Sequence, residues 1–187
     1  MNQPSKQSLY FNTAIQVGLA LGLLSAIIQV VNINMAISAE PSTSIVDIKS
    51  IVVGILSCLL SLAVGAYAVK HYLGTQEDKS MKLGEGALIG LYTAIVSTLA
   101  ATVLIELWLV VDADMYKNYL EATMRNFEAN PAFTDEILEG MESQYAKTLT
   151  LSGRLGQLLF ALPIGGIIMA LAGMVGVKIF AEKEEEL

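Results

Sequence analysis

The sequence is poor in almost everything that catalysis in water uses. It holds one cysteine and one histidine, so it can form no intrachain disulfide and no clustered thiol or imidazole metal site. Cys58 falls inside an apolar stretch and reads as a small packing residue, and His71 stands beside Lys70 and Tyr72 with no acid or thiol near it. No HExxH, no phosphate-binding glycine loop, no GxSxG and no framed Ser/His/Asp set occurs. With no nucleophile, base or metal set to carry a reaction, we expect a non-enzyme without a cofactor. Charge is also scarce: 16 % of residues are charged, where a soluble domain carries about 25 %.

The missing charge is concentrated in four places. No Asp, Glu, Lys or Arg occurs from Phe11 to Ala39, from Ile51 to Val69, from Gly86 to Ile105 or from Leu155 to Val177. A helix needs about 20 mainly apolar residues to cross a bilayer, and buried helices of soluble domains seldom run so long uncharged. A chain of 187 residues is too small to hide four of them in one aqueous core. The fold class expected is all-α: a single membrane domain over 1–187, an integral membrane four-helix bundle with an amphipathic helical hairpin between spans three and four. The spans read as about 11–37, 44–72, 83–111 and 155–180, with an extramembrane acidic segment at 112–150. Glu40-Pro41 and Ser42-Thr43-Ser44 mark a turn after the first span, Ser44 to Asp47 offer N-caps for the second, and Gly74 offers its stop. Lys6 and the small residues before Ala39 invite a signal-peptide reading. The apolar run is too long for a signal core, and an uncleaved first helix is favoured.

Lysine and arginine near the span ends set the orientation. Lys6, Lys70, Lys79, Lys82, Lys178 and Lys183 fall on one side; Lys49, Lys117, Arg125, Lys147 and Arg154 fall on the other. The short loop from Lys70 to Lys82 concentrates three lysines, which places both termini in the cytoplasm. The net charge is −7, and eight acids lie between Asp112 and Glu142 with only Lys117 and Arg125 among them. That excess excludes a nucleic-acid partner and argues against docking of this segment on anionic lipid.

Small residues recur at fourfold spacing in every span: Gly18, Gly22 and Ala26; Ser57, Ser61 and Gly65; Gly86, Gly90, Ala94 and Thr98; Ala161 and Gly165, with Gly166 and Ala170 alongside. Such stripes let helix backbones approach closely in lipid. They close the bundle or, on one helix, join two copies of the chain. Pro163 removes a backbone hydrogen bond inside the fourth span and is expected to bend it.

The acidic segment reads as two amphipathic helices. Tyr116, Leu120, Met124 and Phe127 form the apolar stripe of the first, which Asn130-Pro131 interrupts. Thr134 is the expected N-cap of the second, with Asp135 and Glu136 in its first turn and Phe133 and Leu138 spaced for a hydrophobic staple. Leu138, Met141, Tyr145 and Leu149 continue the stripe. The two stripes face each other or the membrane-side ends of the bundle, as a helical hairpin; the alternative is a docking surface for another protein.

Polar groups at membrane depth are where function is sought. Gln29, Asn32 and Asn34 near the end of span one, Glu106 near the end of span three, and Arg154 and Gln157 at the start of span four all fall toward one side of the bilayer. We take Gln29, Asn32, Glu106, Arg154 and Gln157 as a candidate polar cluster. Glu106 can pair with Arg154, accept from Gln157 or Asn32, or reach the interface, and structural pairing or interfacial exposure is favoured over a proton or ion relay. Trp108 fits an interfacial anchor.

The segment NYLEATMRNFEANPAFTDEILEGMESQY, a last span rich in glycine and isoleucine, a short charged tail and the loop KHYLGTQEDKSMKLGEGALIG together resemble a bacterial family of small four-pass membrane proteins catalogued as domain of unknown function 4199. The resemblance covers nearly the whole chain. It implies a multi-pass protein of the cell inner membrane and offers no functional residues to carry over. The function expected is therefore a non-enzymatic assembly or accessory subunit of a membrane complex, partnered by the bilayer and by copies of itself or other membrane proteins. The alternatives are a small oligomeric channel or carrier using the polar cluster, and, least supported, a membrane enzyme acting on lipid or peptide.

Overall fold

The structure is a computed structural model that describes residues 6–41 and 48–182. It is helical throughout: α1 (Lys6–Ser38), α2 (Ile48–Gly74), α3 (Leu83–Val111), α4 (Met115–Glu128), α5 (Asp135–Leu149) and α6 (Leu151–Phe180). The expected caps at Ser44 to Asp47, the Ser42–Ser44 turn and Lys183 lie outside the described residues. The third span is where the charge pattern put it. The first extends back to Lys6, and the fourth begins four residues early, where the Thr150 hydroxyl accepts from the Gly153 N–H at 3.1 Å and caps the helix. α3 starts where the Glu85 carboxylate accepts from the Lys82 backbone N–H at 2.8 Å, an acid in the first turn where the helix dipole favours it.

Four of these helices are long and apolar enough to cross a membrane. Their large side chains point outward: Leu19, Leu23, Ile27, Val31 and Met35 form one exposed stripe on α1, and Leu159, Ile164, Ile167, Leu171, Val175 and Ile179 cover α6. Exposed apolar surface of that extent suits lipid, not water. The protein is a multi-pass membrane protein. α1 packs on α3, α3 on α6 and α6 on α2, so α2 leans chiefly on the last helix, with lesser contact to α1 and α3.

The loop from α2 to α3 and both ends of the described chain gather at one end of the bundle, called here the terminal end. Ser80 pairs with Glu182 there in an isolated bridge, and Lys79 lies 3.9 Å from the Glu182 carboxylate. The α4–α5 hairpin caps the other end. At the terminal end Tyr10, Val17, Val69, Tyr72, Ile89 and Val177 make a compact core, and a smaller cluster of Leu21, Ala94 and Met169 follows at mid-depth. Glycines draw the backbones together there. A Cβ at Gly86 would strike Val177 and the Gly173 carbonyl, and one at Gly90 would strike the Met169 carbonyl. A Cβ at Gly18 would lie 2.8 Å from Val96 and one at Gly22 2.6 Å from Ala100, so the α1 stripe is occupied by α3 of the same chain.

The hairpin closes on itself. The Phe127 ring meets Phe133 edge-on at 5.4 Å and Tyr145 at 5.9 Å. α5 begins after Thr134, which has the extended backbone of an N-cap but makes no side-chain cap bond. α4 packs against the end of α1, where Arg125 donates to the Ile37 carbonyl at 3.3 Å.

Candidate intramembrane cavity

Toward the hairpin end the bundle is hollow. Among the residues that α2 and α6 turn inward are small ones, Ser57 and Ser61 on one and Ala161 and Gly165 on the other, and much of their large apolar surface faces lipid. α2 is mostly exposed from Ile51 to Leu59. Left between α1, α2, α3 and α6 is a cavity of about 420 Å³, within the range that holds small ligands. Its floor is Leu21, Ala94 and Met169, and its roof is Glu106, Arg154 and Tyr116. Cys58 both lines it and is exposed, so the cavity is open beside α2.

The roof is an ion pair held in one geometry. Arg154 Nε donates to Glu106 Oε1 at 2.7 Å and Nη2 to Oε2 at 2.8 Å, while Nη1 donates to the Leu149 carbonyl. The Tyr116 ring lies 4.8 Å from the guanidinium carbon. Side-on pairing of this kind is the strongest form of the Arg–carboxylate contact, and it offsets the desolvation that either charge alone would suffer near the membrane. The side chains remain 16 % and 29 % exposed, so the pair is reachable from the cavity. Burial pushes the Tyr116 phenol above its ordinary value; the Arg154 charge opposes that shift and the Glu106 charge adds to it.

Polar groups on the walls are of three kinds; the hydroxyls of Ser25, Ser57 and Thr98 line the cavity without a side-chain hydrogen bond among the described residues. The hydroxyls of Ser61, Ser97 and Thr102 donate to carbonyls of their own helices, at 2.9, 3.0 and 2.9 Å, and present mainly carbon to the cavity. Gln29 and Gln157 line the cavity, are exposed, and make no side-chain hydrogen bond among the described residues.

The structure thus brings Gln29, Glu106, Arg154 and Gln157 around one space, whereas Asn32 lies outside its lining. Glu106 takes Arg154 as its partner and no bond from Gln157 or Asn32. Of the packing glycines, Gly18, Gly22, Gly86 and Gly90 sit at helix contacts; a Cβ at Gly166 would meet only the Leu91 side chain, at 3.0 Å, and Gly165 has nothing within 4 Å of its Cβ position and faces the cavity. Sequence reading did not select Ser25, Ser97, Thr102 or Tyr116 for the cluster. The signal for the first was its spacing of four from Gln29. Tyr116 was assigned to an apolar stripe, and its ring turns to Arg154 instead.

At the closed end Tyr10 donates to Glu85 Oε1 at 2.7 Å and meets the Tyr72 ring edge-on at 5.0 Å, tying α1, α2 and α3 together. His71 lies against Tyr67 at 6.1 Å, and no cluster of metal-ligating side chains occurs among the described residues.

A family model described as protein of unknown function (DUF4199) matches residues 16–178, a stretch that takes in all the cavity-lining positions. The chain belongs to this family. No curated protein and no solved structure matches it. For this DUF4199 chain the site has to be read from its own chemistry. That chemistry is a paired charge, two amides with no partner among the described residues, and a wall of apolar side chains and hydroxyls beneath them.

Proposed function

We propose that this DUF4199 chain is a non-enzymatic binding protein of the membrane, of carrier type, that receives a small ligand in the cavity beneath Glu106 and Arg154. One observation carries the reading. The bundle is hollow and polar-roofed at the hairpin end and tightly closed at the terminal end by Gly86, Gly90 and Gly173. A continuous pore would need both halves hollow; a chamber confined to one half and open beside α2 suits a carrier or receptor in one of its states. With both termini in the cytoplasm of an inner-membrane protein, the chamber lies in the outer half of the bilayer.

Reconstituted protein tests this. Ligand binding should slow alkylation of Cys58 by N-ethylmaleimide, and Glu106→Gln should change the ligand concentration needed. Alkylation indifferent to every solute offered, with no flux in liposomes, would remove the reading.

A second reading, an accessory subunit or homo-oligomer, draws support from α5, none of whose residues is buried in the single chain. It draws less from the small-residue stripes, because Gly18, Gly22, Gly86 and Gly90 meet helices of their own chain. Mass photometry of the protein extracted in native nanodiscs separates the two: a stable complex with other proteins favours the subunit, and a monomer without partners removes it.

A further inference from the structure

The roof of the cavity is balanced in charge. Arg154 and Glu106 cancel, so a bare anion placed there meets a carboxylate and a bare cation meets a guanidinium. The pair still leaves guanidinium N–H groups and carboxylate lone pairs unused. Gln29 and Gln157 add amides that each offer donors and an acceptor and hold no partner among the described residues. A site with matched donors and acceptors and no net charge selects a head group of the same kind, because any unmatched charge would lie desolvated against its like.

Below the roof the chemistry changes. From Glu106 down to Ala94 the cavity runs roughly 18 Å along α3 at the helical rise of about 1.5 Å per residue. With a volume of about 420 Å³, it is an elongated slot, deep enough to take an extended alkyl chain lengthwise. The lower wall is Leu21, Ala94 and Met169, and the nearby hydroxyls of Ser61 and Ser97 are turned to their own backbones. Head at the membrane surface and tail toward the midplane is also how a lipid of that leaflet lies. The side of the slot where Cys58 is exposed faces the bilayer along the apolar run of α2.

Resting on the carrier-type reading of the same cavity, we infer that its ligand is an amphipath with a net-neutral, zwitterionic head, taken laterally from the leaflet at the hairpin end. The head sits between Gln29, Gln157 and the Glu106–Arg154 pair, and the chain runs down to Met169.

The test uses the full chain in nanodiscs of two-chain phosphatidylglycerol, with Cys58 alkylation by N-ethylmaleimide as the readout. Four probes are added: lysophosphatidylethanolamine, lysophosphatidylglycerol, an alkyltrimethylammonium of equal chain length, and glycerophosphoethanolamine, which is the head without its chain. Lysophosphatidylethanolamine should slow alkylation at concentrations about 3–10-fold below those of either charged probe, the discrimination expected of one or two hydrogen bonds to the head. The head alone should not protect. Glu106→Gln, which leaves Arg154 unpaired, should move the preference to lysophosphatidylglycerol, a reversal that mere loosening of the bundle would not produce. If that variant does not fold, Gln157→Ala serves, since its amide bonds to nothing among the described residues; it should weaken protection by the zwitterion about 3–10-fold. Equal protection by all three chains, or unchanged protection in Gln157→Ala, overturns the inference. Protection by the head alone, or by other solutes but no amphipath, also overturns it and leaves the carrier-type reading standing. Protection by nothing removes both.

Discussion

Gly90→Ala is the substitution whose effect the geometry fixes most narrowly. The added methyl would lie 2.6 Å from the Met169 carbonyl carbon and 3.1 Å from the Ala170 Cα, and it would overlap the Met169 carbonyl oxygen. All three are backbone atoms of α6, so no side chain can turn aside. α3 and α6 must part by on the order of 1 Å, and a gap of that size forfeits a quarter to a half of each dispersion contact along the seam. Overpacking of this kind costs about 1–3 kcal/mol, while alanine in place of glycine returns up to about 1 kcal/mol of helix propensity. The net expectation is a loss of about 1–2 kcal/mol. Gly165→Ala is the control: nothing lies within 4 Å of its Cβ position, so only the propensity gain remains. Unfolding by dodecyl sulfate in mixed micelles, followed by far-ultraviolet circular dichroism, should show a lowered midpoint for Gly90→Ala and an unchanged or raised one for Gly165→Ala. Equal shifts in the two variants, or none in Gly90→Ala, would refute the close approach of α3 and α6.

Tyr10→Phe keeps the ring contact with Tyr72 and removes the bond to Glu85; a hydrogen bond to a charged group is worth about 1.5–3 kcal/mol, and the same unfolding assay should register a loss of that order. Arg154→Ala and Glu106→Ala should each destabilise more than the double substitution does, with a coupling of about 1–3 kcal/mol in a double-mutant cycle; strict additivity would mean that the pair is not formed. Cys58 should react readily with N-ethylmaleimide in the folded protein, whereas a cysteine placed at Ala172, which is buried against Gly65, should not react in a Cys58→Ser background. Rapid alkylation at 172 would show the α2–α6 contact to be open.

The four spans were legible because the bilayer enforces them one helix at a time: a run such as Gly86 to Ile105 has no other stable environment. The pairing of helices was not legible. Small-residue stripes look alike whether they meet α3, α6 or a second chain, and only the three-dimensional arrangement assigns Gly90 to Met169 and leaves Gly165 without a neighbour. The polar cluster was partly readable from depth alone, since Gln29, Glu106, Arg154 and Gln157 share a level and also share the cavity. Asn32 has the same depth but lies outside the lining, because depth says nothing about which way a side chain turns around the helix axis. The cavity itself has no sequence signature. It opens where the small residues Ser57, Ser61, Ala161 and Gly165 face inward and the surrounding side chains leave the space between them unfilled.

The contact of α2 with α6 has a consequence for how the protein is made. α2 is synthesised second, yet the surfaces that hold it, Gly65 against Ala172 and Ala66 against Gly176, come together only with the final helix. At translation rates of about 5–20 residues per second, α2 waits roughly 5–20 s in the membrane before that partner exists. During that interval its small-residue face is bare to lipid and to whatever insertion factors attend the ribosome. A chain stopped before Leu151 would leave the membrane holding an incomplete bundle with that face still uncovered, a surface by which quality control can tell the unfinished protein from the finished one.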